Sequence, residues 1–122
     1  MQLTFEARRA AFESDADADT LGILGEDELG SEHYLVLQCP PVLEEYELSL
    51  EVDDEESVGI NCVEECLLES QMLKLTIDPE DEDLGYLTEI VVRLVLGNNA
   101  MKELRRGLRE VFRGMPERLT LD

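Results

Sequence analysis

YELSLEVD, residues 46–53, sets Tyr46, Leu48, Leu50 and Val52 in strict alternation with Glu47, Ser49, Glu51 and Asp53. Successive strand residues point to opposite faces, so this spacing predicts a strand with one face in a core and the other in water. A helix would scatter the same apolar residues around its circumference. Upstream, His33 to Cys39 (HYLVLQC) is apolar on both faces and reads as a central strand ended by Pro40-Pro41. Downstream, Leu73, Leu75 and Ile77 alternate again, and Leu87 to Leu96 is a long β-branched strand. Val58 to Leu68 predicts one or two short strands around Asn61.

The N-terminal stretch alternates as well, with Leu3, Phe5 and Ala7 in odd positions, but Ala10 and Phe12 fall on even ones. A β-bulge near Arg8–Ala10 accounts for the slip. A turn from Ser14 to Asp19 and a short Leu21–Ile23 strand follow, and Glu26–Glu32, Asp53–Glu56 and Asp78–Asp83 read as acidic loops. The pattern then changes period. Met101, Leu104, Leu108, Val111, Phe112 and Met115 recur at three- and four-residue steps, one face of a helix. Asn98-Asn99 supplies its N-cap, and Gly114 and Pro116 end it. Gly107 lies near the apolar stripe, where a missing side chain lets helix and sheet approach closely.

Strands first and one helix last predict an α+β fold, a twisted antiparallel sheet of about six to seven strands packed against one C-terminal helix. At 122 residues, a single domain over 1–122 is expected.

Charge is distributed unevenly. Residues 1–97 carry 26 acidic side chains against four basic ones, and the remainder six basic against four acidic, for a net −20. So large a charge opposes compaction by self-repulsion. It also repels nucleic acid and anionic lipid, so neither is an expected partner. The N-terminus lacks the apolar core of a signal peptide, and no apolar stretch is long enough to cross a bilayer. Three cysteines, an odd count, point to reduced thiols and a cytoplasmic location.

Sites of chemistry are sparse. His33 is the one histidine, with no nucleophile motif beside it, and reads as a surface or hydrogen-bonded residue rather than a catalyst. Asp15, Asp17, Asp19 and Glu26 hold positions 1, 3, 5 and 12 of a calcium loop, but position 6 is Thr20 and the flanks are strands, so a plain acidic turn is the better reading. Cys62 and Cys66, with His33 and Cys39, could number four zinc ligands, yet both cysteines sit among apolar residues and read as core thiols. No cofactor or metal is expected. The basic helix face (Lys102, Arg105, Arg106, Arg109, Arg113) reads as locally paired, Glu110 lying at helical spacing from Arg106 and Arg113. The acidic loops fit either a binding face or a chain adapted to salt for solubility.

Several segments resemble a family of bacterial immunity proteins, immunity protein 10. They are Phe5-Glu6-Ala7, Tyr34-Leu35-Val36-Leu37-Gln38, a strand closing on Glu51-Val52-Asp53-Asp54, Val63-Glu64-Glu65-Cys66-Leu67, Leu73-Lys74-Leu75-Thr76-Ile77 and a helix ending in Val111-Phe112. Cys39 stands where such proteins often have Arg, and Glu55 where they often have Gln. The resemblance implies a cytosolic protein that binds and blocks a co-encoded toxin, and it brings no catalytic residues. Charge adds that the toxin is basic. The expected contacts are Glu26, Asp27, Glu28, Asp53, Asp54, Glu55 and Glu56, on a monomer or homodimer. The alternative is a small acidic domain, metal-binding or solubility-adapted, without a toxin partner.

Overall fold

The computed structural model describes residues 1–122. Nine strands form one sheet: β1 (Gln2–Ser14), β2 (Asp19–Glu26), β3 (Glu32–Cys39), β4 (Ser49–Val52), β5 (Asp54–Ile60), β6 (Val63–Glu69), β7 (Met72–Ile77), β8 (Glu89–Leu94) and β9 (Leu119–Leu121). The helix α1 spans Asn98–Val111, between β8 and β9. Across the sheet the order is β5-β4-β3-β2-β1-β8-β7-β6-β9. The α+β class is as expected, but the sheet is wider and mixed. β1 runs parallel to β8, and β9 parallel to β6. The second pairing follows from the helix, which carries the chain back across the sheet before β9 begins, as a parallel connection requires.

This order forces the sheet to curl. β5 and β6 stand seven strand spacings apart, about 34 Å in a flat sheet. Yet only Asn61 and Cys62 join them, and the three steps from Ile60 to Val63 span at most about 11 Å. The two ends are pinned together at Asn61, whose positive φ of 52° turns the chain. Its side-chain oxygen accepts the Leu48 N–H at 2.9 Å, and Arg118 donates to the carbonyl of Val63 at 3.1 Å. α1 lies inside the curl against β1, β2 and β3, and reaches β9 as well.

A cluster of 28 buried residues fills the concave side. Most strands supply alternate positions, such as Leu35, Leu37 and Cys39 from β3, and Leu73, Leu75 and Ile77 from β7, while Leu119 and Leu121 of β9 pack against the cluster half-buried. The expected bulge is present, with the β1–β2 register shifting between Ala7 and Arg9. It returns Phe12 to the buried face, where Gly107 of α1 meets it.

Local expectations change at the ends of elements. Gly97, not Asn98-Asn99, caps α1, because its carbonyl accepts the Met101 N–H at 3.0 Å while its own backbone stays extended. Tyr46 is not in a strand. Its ring covers Gly114, and its hydroxyl donates at 2.6 Å to the carbonyl of Val111, one of the orphan acceptors at the helix end. Asp54–Glu56 belong to β5 rather than to a turn, since Asp53 alone, at φ 61°, reverses the chain. The helix cations do not all pair as expected: Arg113 lies 3.7 Å from Glu110, whereas Arg106 sits over the Phe12 ring at 5.3 Å.

Candidate functional site: two acidic loops joined through His33

The β2–β3 connection is built around Asp27. Its carboxylate accepts the N–H groups of Leu29 at 2.9 Å and Ser31 at 3.0 Å, and Gly30 supplies the positive φ that closes the loop. The β4–β5 reversal is built around Asp53. Its carboxylate accepts the Tyr34 N–H at 2.8 Å, and its own N–H donates to the Tyr34 carbonyl at 3.1 Å. Because β3 lies between β2 and β4, both loops emerge at the same end of the sheet.

His33 ties them together. Nδ1 lies 2.7 Å from Asp53 and Nε2 lies 2.8 Å from Asp27, while the ring stacks on Phe5 with centroids 5.6 Å apart. A neutral imidazole carries one N–H, so donating to carboxylates on both sides requires the imidazolium. Burial alone would lower the His33 pKa, but the bonds to Asp27 and Asp53 outweigh it and raise the value. In return, the His33 bond and the loop N–H groups hold the Asp27 carboxyl below its ordinary value.

The other candidates gather around this bridge. Glu26, the last residue of β2, lies opposite Glu6 on one side and Glu32 on the other. That row of three carboxylates has cations on one flank only, Arg8 at 2.9 Å and Arg93 at 3.9 Å from Glu6. Glu28 and Asp27 line a cleft of about 410 Å³ with Glu6, Arg8 and Arg93. Asp53, Glu26, Glu32 and Tyr34 line a second, of about 560 Å³. Asp54, Glu55 and Glu56 are exposed on the edge strand. The Tyr34 hydroxyl bonds Glu51 at 2.5 Å and is pushed up to about 12, first by that bond, then by burial and by the charges of Glu51, Asp54 and Glu55.

Glu6, Glu32, Glu51 and Tyr34 were not among the sequence candidates. Strand pairing places Glu6 and Glu32 laterally beside Glu26 and Tyr34 beside Asp53, and Glu51 enters through its bond from the Tyr34 hydroxyl. The reading of His33 as a hydrogen-bonded residue agrees with its two partners.

The metal alternatives lose their geometry. Asp19 and Glu26 stand at opposite ends of β2, about 23 Å apart along an extended strand, so the calcium-loop positions do not converge. Asp19 itself is buried against Arg113 and Ser14. Cys39, Cys62 and Cys66 are buried free thiols, all pushed up mainly by burial, Cys62 and Cys66 to about 12. No group of three or more His, Cys, Asp or Glu side chains is placed to hold a metal ion. No helix is long and apolar enough to cross a membrane.

A comparison with curated proteins finds no match. A family model described as immunity protein 10 matches residues 6–102, from β1 through both acidic loops into the first turn of α1. The chain therefore belongs to the immunity protein 10 family.

Proposed function

We propose that the chain neutralises a cognate toxin in the bacterial cytoplasm by binding it, not by catalysis. The carboxylates of Glu26, Asp27, Glu28, Asp53, Asp54, Glu55 and Glu56 face a basic surface and block the site where the toxin takes an anionic substrate. The supporting observation is the row Glu6, Glu26, Glu32. Like charges directly opposite on neighbouring strands cost stability, and a partner's lysine or arginine would relieve them. Net charge of −20 adds long-range steering toward a basic protein.

The test is stopped-flow association with the inactivated toxin domain encoded beside this chain. Reversing Asp54, Glu55 and Glu56 to lysine spares Asp53, which holds His33 and Tyr34. The triple variant should associate at least about tenfold more slowly at low salt, with the difference shrinking as salt rises. An unchanged rate at low salt removes the hairpin from the interface.

A further inference from the structure

Pairing across the outer, convex side of β1–β5 sets Ala11, Gly22, Val36, Glu51 and Val58 side by side. In a chain with 30 acidic residues, this row holds one carboxylate, and Tyr34 donates its hydroxyl to it. The flanking rows add Leu24 beside Tyr34, and Thr20 between Gln38 and the exposed Glu13, where the acidic rim begins. Leu24 is 49% exposed, and Ile60 at the far edge 48%. A Cβ built on Gly22 meets nothing within 4 Å, so the middle of the face is an open dimple between Ala11 and Val36.

We propose that this face is the centre of the toxin-contact surface, with the acidic loops as its rim, and that its occupant is a basic protein that seats an apolar side chain over Gly22. The proposal rests on the toxin-binding reading above. Protein interfaces place an uncharged centre inside a polar rim, and carboxylates stand at both ends of these strands. Glu26, Glu32 and Asp53 are at one end, and Asp15, Asp17 and Glu47 at the other.

Size points the same way. Four strand spacings by four residues make a flat patch of about 250 Å², roughly a third of the about 800 Å² a stable complex covers per partner. The rim must therefore take part, and its charge selects a basic occupant. A second copy of this chain would bring a like-charged rim against it. The 560 Å³ cleft runs from Leu24 and Tyr34 to Glu26 and Asp53 and makes centre and rim continuous. Arg9, opposite Leu24 across the strand pair, puts one cation at the margin and fixes the orientation of the partner.

Calorimetric titration of the inactivated toxin domain encoded beside this chain tests the assignment. Gly22→Trp fills the dimple and Gly22→Glu charges it, both into open space. Each should weaken Kd by at least about tenfold, chiefly through faster dissociation. Thr76→Trp, on the outer side of β7, should leave Kd unchanged. Circular dichroism and thermal melting check that each variant folds. If both folded Gly22 variants bind like the wild type, the face is not the contact, and the acidic-loop reading survives. If the wild type does not bind the toxin, that reading fails and this surface with it. A wild-type dimer in sedimentation that Gly22→Trp dissociates would also overturn the proposal, because the face would then belong to a second copy.

Discussion

Arg113, just past the end of α1, donates to the carboxylate of Asp19, the one buried charged residue of the chain. The same guanidinium donates to the carbonyls of Pro40 and, at 3.1 Å, Glu110. One side chain thereby fastens the start of β2 and the end of β3 to the close of the helix. Burial would raise the Asp19 carboxyl, but the bonds from Ser14 and Arg113 outweigh it and hold the pKa below its usual value. Asp19 is thus structural and is withdrawn from the acidic surface.

Removing one partner of such a pair strands the other. Arg113→Met should destabilise the chain by about 3 kcal/mol, because Asp19 stays buried without its cation. Urea denaturation at pH 7 measures it. A loss within the range of an ordinary surface change, about 0.5 kcal/mol, would show that Ser14 and solvent suffice for Asp19.

Gly107 faces Leu21 and Phe12 from the buried side of α1. A Cβ there would lie 2.7 Å from Leu21 Cδ1 and 3.1 Å from Phe12 Cδ1. Gly107→Ala gains about 1 kcal/mol of helix propensity, while overpacking costs about 1–3 kcal/mol. Both obstructing residues are themselves core side chains held by the sheet, so packing should win and the melting temperature should fall. A stabilised variant would mean that α1 can lift off β1 and β2 without penalty.

How much of this was legible depends on range. Period-two spacing marks β1 and β7 residue by residue and overshoots β4, whose alternation runs on through Tyr46–Leu48 outside the strand, and the slip from Ala7 to Ala10 marks the bulge, because these are local steric patterns. The helix face from Met101 to Met115 is visible for the same reason. Strand order is not local. Nothing within Leu119–Leu121 announces a strand, since three residues are too few for a period, and their partner Cys66–Leu68 lies far upstream. The acidic loops were visible as composition, but their junction was not. It depends on β3 lying between β2 and β4, which brings His33 between two aspartates separated by a whole strand. Asp19 looked like one more loop acid because its cation is 94 residues away.

Salt separates self-repulsion from adaptation to brine. With a net charge of −20, the folded chain should gain stability as ions screen it. The Debye length falls from about 30 Å at 0.01 M to about 8 Å at 0.15 M, so the gain should be nearly complete by a few tenths molar potassium chloride. Thermal melts across this range read it directly. A melting temperature that keeps climbing through molar salt would favour an acidic surface shaped by its solvent over one shaped by a partner.

The His33 bridge makes a sharper statement about pH. The folded-state pKa of His33 is raised above its ordinary 6.5, so the stability it supplies is complete below that value and is lost as pH rises through the folded one. Being the one histidine, it dominates the window from about pH 6 to about pH 8. The cysteines, pushed up by burial, add their own loss of stability only above this window, where the unfolded thiols ionise at about 8.5. The wild-type urea midpoint should therefore fall between about pH 6 and about pH 8. His33→Gln keeps an N–H for one aspartate but has no proton to lose, so its midpoint should stay level. Asp53→Asn should move the His33 ring titration, followed by its proton resonances, to lower pH. It should also reduce hydrogen-exchange protection at Leu29 and Ser31, on the other loop, because His33 then holds Asp27 with less charge. A wild-type midpoint that is flat with pH, or an unmoved His33 titration in Asp53→Asn, would mean that the two loops stand independently.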